Sequence, residues 1–172
     1  MAFSLYQASV KTCLQLLGGL SAVLTKAAAH AEARKIDPSV FLTSRLAPDM
    51  FTMVRQVQIA TDGAKAGCAR LAGAEYPSYP DTETSFDELQ ARIARTVTFL
   101  EGLDRTAIEG AVERTITFKV GPMEMKMLGA DYATGWILPN FFFHVTTAYD
   151  ILRHNGVALS KRDYLGTMPL AA

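Results

Sequence analysis

The sequence predicts an all-α chain, a four-helix bundle with a small β-hairpin inserted between its third and fourth helices. Three observations carry this prediction. Apolar residues recur at three- and four-residue spacing in three separate stretches. A fourth stretch, dense in aromatics and interrupted by Pro139, reads as the last helix. Ahead of it, the apolar period falls to two on both sides of Gly121-Pro122. With 172 residues, no internal repeat and no low-complexity tract, residues 1–172 form one predicted domain.

The first helix opens at Ser4-x-x-Gln7, a capping-box pattern in which a hydroxyl and a side-chain amide satisfy orphan backbone amides reciprocally. Cys13, Leu16, Leu17, Leu20, Leu24 and Ala27 then share one stripe, and the helix is expected to run to about Arg34. Asp37-Pro38 starts a short turn or a single helical turn through Phe41 and Leu42. Pro48-Asp49 opens the second helix, whose stripe is Met50, Val54, Val57, Thr61, Ala64, Cys68 and Leu71, with Gly73 as its stop. Glu75 to Asp81 contains two prolines and reads as a rigid crossing.

Ser85-x-x-Glu88 caps the third helix, and Phe86, Leu89, Ile93, Val97 and Leu100 form its stripe. Ile116, Phe118 and Val120, then Met123, Met125 and Met127, alternate with polar residues and predict the hairpin. Proline is not a favoured residue of a two-residue turn, so the register stays open at this stage. The fourth helix starts near Asp131, is kinked or broken at Pro139, and ends at Gly156. Ser160-Lys161-Arg162-Asp163 reads as a solvated tail segment.

Seventeen basic and seventeen acidic residues cancel, which excludes the basic excess of a nucleic-acid binder. Lys11, the run Cys13 to Leu24 and Ala27 to Ala29 faintly resemble a signal peptide, but the apolar positions are periodic and Gln15 interrupts them. No other run approaches the ~18 apolar residues of a membrane span. Cys13 and Cys68 make neither a disulfide framework nor a zinc spacing, so they read as buried thiols in a reducing compartment. The expectation is a cytoplasmic protein with no membrane and no nucleic-acid partner.

On a helical wheel Ile137, Phe141, His144, Ala148, Ile151 and Leu152 share a face, which places His144 near the middle of the buried stripe with Asn140 one turn away. On the second helix Gln58 borders the apolar stripe, and Asp62 follows one turn on. These four residues define the candidate pocket between the second and fourth helices, with Gln58, Asn140 or a tyrosine satisfying the imidazole. The alternative is a core histidine that only fixes register, since buried titratable groups are probabilistic markers of sites. His30 and His154, near helix C-termini, have the simpler role of complementing the helix dipole. Phe141-Phe142-Phe143 cannot all enter one core, because successive residues point ~100° apart. One ring must face a neighbour, a pocket mouth or a second subunit. With Tyr132 and Trp136 nearby, twofold pairing through the last helix into a homodimer is expected.

Three stretches carry a resemblance. They are Leu46-Ala-Pro-Asp-Met-Phe51 leading to Arg55-Gln-Val-Gln-Ile-Ala60, then Asn140-Phe-Phe-Phe-His144-Val-Thr-Thr-Ala-Tyr149 leading to Leu152-Arg-His-Asn-Gly156, and Lys161-Arg-Asp-Tyr-Leu-Gly166. The chain resembles the DinB/YfiT-like superfamily of four-helix bundles and, more narrowly, an uncharacterised bacterial and fungal family known only as a domain of unknown function. Metal-binding members of the superfamily hold a divalent ion with one histidine on the second helix and an H-x-x-x-H pair on the last. Some of them transfer thiols. Carried onto this chain, the resemblance makes His144 the second histidine of the pair, with Asn140 in place of the first and Gln58 in place of the helix-two ligand. One ligand of three remains, and neutral amides are poor zinc ligands. The expectation is therefore a non-metal protein, without cofactor, that binds a small ligand or a partner through a polar patch around His144. The alternative is a degenerate metal-dependent enzyme of the thiol-transferase kind, in which His144 and a carboxylate such as Asp62 hold a labile divalent ion.

Overall fold

The computed structural model describes residues 4–168. Four long helices form the body: α1 (Thr12–Arg34), α3 (Met53–Ala72), α4 (Phe86–Glu101) and α7 (Leu138–His154). Short helices α2 (Pro38–Thr43), α5 (Arg105–Glu109), α6 (Gly129–Asp131) and α8 (Lys161–Leu165) connect or cover them. Helix α3 packs on α4 and α7, and α1 packs on the same two, so the four close a square with α1 and α3 on one diagonal. The predicted stripe of α1 is buried in full, and Cys13 meets Cys68 of α3 across that diagonal. Residues Gln7–Arg34 are long and apolar enough to cross a membrane by length and composition. Here their apolar stripe is spent on the bundle core.

Ser4 accepts from the Gln7 amide as predicted, but the carboxylate of Glu109, not the Gln7 side chain, completes the cap by receiving the Leu5 amide at 2.9 Å. A π-helical turn, Gln7–Lys11, then leads into α1. Helix α3 starts later than Pro48-Asp49. That pair is spent in a turn closed by the Met50 amide on the Ala47 carbonyl, and Thr52 supplies the N-cap. The first buried methionine of the helix is accordingly Met53, not Met50. Gly73 ends α3, and the guanidinium of Arg114 donates to the carbonyls of Arg70 and Leu71 at the helix's negative end. Ser85 and Glu88 form the capping box of α4.

The hairpin pairs β1 (Thr115–Val120) with β2 (Met123–Leu128), Val120 opposite Met123, which settles its register as a two-residue turn. Gly121 takes φ +56, the positive value that the first position of a II′ turn requires, and Pro122 supplies a fixed negative φ at the second. Ile116 and Phe118 face inward, and the Phe118 ring lies 4.7 Å from that of Tyr132 and 5.1 Å from Trp136. Both aromatics pack on the hairpin, Tyr132 fully buried and Trp136 partly so.

Pro139 does not break the last helix. The turn before it, Tyr132–Ile137, widens to π-helical spacing, which absorbs the missing amide and the crowding against the Gly135 carbonyl. Ser160, Lys161 and Arg162 are exposed, as expected of a solvated segment, but the segment opens a docked helix rather than a loose tail. Ser160 and Asp163 cap α8, Asp163 pairs with Lys26 at 2.6 Å, and Gln15 donates to the Leu165 carbonyl. A Cβ on Gly19 would meet the Tyr164 carbonyl at 2.4 Å, so only glycine lets α8 sit this close to α1.

Candidate functional site

Helix α3 carries buried polar groups on two faces. Toward α7 lies Gln56, 1% exposed, one position from the core residue Val57. Its Nε2 donates to the Phe51 carbonyl at 3.2 Å, which leaves Oε1 facing the His144 ring, 2.7 Å from Nδ1. An amide oxygen only accepts, so Nδ1 carries the proton and Nε2 presents its lone pair. Nε2 has no hydrogen-bond partner among the described residues. Burial first, and the nearby Arg55 cation second, hold the imidazole pKa below its ordinary value, so the ring is neutral at pH 7. The exposed Phe143 stands edge-on to the ring with centroids 5.2 Å apart, and Phe51, whose carbonyl receives the Gln56 amide, is 56% exposed.

Toward α4 the central group is Arg92, wholly buried. Its Nε donates to Thr61 Oγ1 at 2.8 Å, Nη1 to Glu83 at 3.0 Å and to the Pro80 carbonyl, and Nη2 to Asp62 at 2.8 Å, with Asp81 as a further ion-pair partner at 3.1 Å. Around this guanidinium, Gln58 donates to Glu83 at 2.9 Å, Lys65 to Asp62 at 2.9 Å, and Arg55 pairs with Asp81. The network ties α3, α4 and the 74–84 crossing together with each guanidinium nitrogen bonded. Burial pushes the Glu83 carboxyl up, but the hydrogen bonds from Gln58 and Arg92 outweigh it and hold the group ionised, below its ordinary value.

The four predicted site residues are therefore not one constellation. His144 lies at the edge of the buried stripe, half-buried, because Val145 and Phe141 take its centre. Its partner is Gln56, not Gln58 or Asn140. Gln58 and Asp62 belong to the Arg92 network. Asn140 is exposed and returns its amide to the Trp136 carbonyl of its own helix at 2.7 Å.

With this geometry established, the chain can be compared with known proteins. The model of the domain of unknown function DUF1993 matches residues 5–165. The chain belongs to that family. It is also similar to the crystal structure of a DinB family member protein from Shewanella denitrificans, at 44% identity and TM-score 0.89, over 98% of this chain and 95% of that one. No curated protein matches it. The protein is thus a DinB-like domain of unknown function, a helical bundle with a small hairpin.

The three-histidine metal set of the superfamily does not fit the residues of this DinB-like domain. The α3 residue facing His144 is an amide, Asn140 points elsewhere, and both Asp62 oxygens are bound by cations. Among the described residues no three His, Cys, Asp or Glu side chains converge as a metal set would. Arg92, Gln56 and Lys65 are polar groups that periodicity passed over. Arg92 falls three residues after Leu89 and Lys65 three before Cys68, so both lie on apolar stripes, and a charge on a stripe was the available signal. Asp81 and Glu83 gave none, because a loop has no period.

Proposed function

We propose that this DinB-like domain works by binding, without a metal, a small ligand that combines one hydrogen-bond donor with an apolar body, at the patch around His144. The observation that supports this most directly is the fixed tautomer: Gln56 holds the proton on Nδ1, so a bare Nε2 is left in aromatic surroundings. An accepting nitrogen on a ring that stands edge-on to exposed Phe143 suits a phenol, an aniline or a thiol. The reading extends to a cytoplasmic protein and to a homodimer through the Phe143 face, for which light scattering at micromolar concentration should return twice the chain mass.

The test is histidine-selective nitrogen NMR with a panel of small phenols, anilines and aryl thiols. Saturable shifts at His144, absent in His144→Ala, are the expected result. A folded protein whose His144 signals respond to none of them removes the proposal. The same lone pair also favours a second reading, a degenerate metal-dependent enzyme with His144 as ligand. Near-stoichiometric zinc, nickel or iron in tag-free protein, lost in His144→Ala, would move the assignment there. A melting temperature unchanged by chelator supports the first reading.

A further inference from the structure

The Arg92 network borders an open cavity of about 260 Å³ between α3 and the proline-bounded crossing, lined by Asp62, Lys65, Ala66, Tyr76, Ser78 and Tyr79. Lys65 is only 2% exposed, yet it is one of the residues that line this cavity. Among the described residues it makes one hydrogen bond, to Asp62, while the Tyr79 ring covers it at 3.5 Å. An ammonium has three donors, so donor capacity remains. The Tyr76 hydroxyl accepts from Arg70 at 2.8 Å and keeps its own hydrogen to donate. The Asp62 carboxylate is itself shared between cations, one oxygen receiving Lys65 and the other Arg92. The charged residues of the lining are Lys65 and Asp62, and the Arg92 guanidinium shares the Asp62 carboxylate. The spare donors of Lys65 and the Tyr76 hydroxyl, with tyrosine and alanine walls, complement an anion attached to an apolar body.

We propose that this cavity is a second binding site, separate from the His144 patch, which takes a small organic carboxylate on Lys65 and the Tyr76 hydroxyl. The volume lies below the ~300–1,000 Å³ usual for drug-sized ligands, so a single-ring carboxylate is the right scale. Benzoate is the probe, with benzylamine as its cationic counterpart and inorganic phosphate as a mineral anion. Amide NMR shifts at Ala66 and Ser78 read occupancy independently of His144, so this assignment and the His144 proposal fail separately.

Benzoate should shift both residues saturably, and benzylamine should not. Lys65→Met, which keeps the stem and removes the charge, should weaken benzoate at least tenfold. Tyr76→Phe removes one hydroxyl from a residue 40% exposed, so it cannot endanger the fold, and it should weaken benzoate several-fold. Benzoate that leaves Ala66 and Ser78 unmoved, or binds Tyr76→Phe as tightly as the wild type, overturns the site. Benzylamine binding as well as benzoate overturns its charge preference. Phosphate binding as tightly as benzoate overturns the organic carboxylate as its ligand.

Discussion

The two polar faces of α3 differ in how completely they are satisfied. On the α4 face every guanidinium nitrogen of Arg92 is bonded and the carboxylates are shared among cations. On the α7 face Gln56 spends one amide group on the backbone and one on His144, and the imidazole keeps an unused nitrogen. Saturation makes a network structural, since each bond must be broken before any member can serve a ligand. Incomplete saturation leaves a group that can accept one. The contrast also separates Lys65 from Arg92: both are buried, but only Lys65 reaches a cavity with donors to spare.

The largest test of this contrast is Arg92→Ala. It leaves Glu83 and its neighbours buried without their cation and should cost roughly 3–5 kcal/mol, read from denaturant midpoints. A loss below about 1 kcal/mol would mean that the network is ornamental. Gln56→Leu should cost less, about 1–3 kcal/mol, because one neutral partner of a half-buried ring is removed. It should also release the tautomer, so that NMR finds the His144 proton on both nitrogens; an unchanged tautomer would show that Gln56 does not set it.

Acid separates the faces further. The His144 pKa is lowered in the folded state, so the unfolded chain binds that proton first. Its contribution to stability is intact above the unfolded value of ~6.5 and is lost as pH falls through the folded one. The Glu83 pKa is likewise depressed, and its contribution is lost only below the unfolded carboxylate value of ~4.3. Stability against pH should therefore decline in two stages, and His144→Gln should flatten the first alone. If that variant keeps the full decline just below pH 6.5, the ring is not held neutral by its site. Smallest in stability is Phe143→Ser, an exposed change expected to stay within ~0.5 kcal/mol. Its effect should appear instead in ligand shifts at His144, and wild-type shifts in this variant would remove Phe143 from the patch.

Local chemistry was enough for the four long helices, the capping box at Ser85, the stop at Gly73 and the hairpin, because each rests on neighbours within a few residues. His144 could likewise be singled out, as the histidine on an aromatic stripe. Its partner could not. Gln56 and Gln58 lie two positions apart and so point to nearly opposite sides of α3. Which of them meets His144 depends on how α3 is rotated against α7, and that rotation is set by packing across the whole core. Tertiary structure likewise decided that Glu109 caps the first helix, that α8 docks on Gly19, and that a loop carboxylate closes on Arg92. The first two pairings join residues far apart in the chain, and the third, though nine residues apart, runs between a loop without period and a helix, so only the closed bundle fixes it.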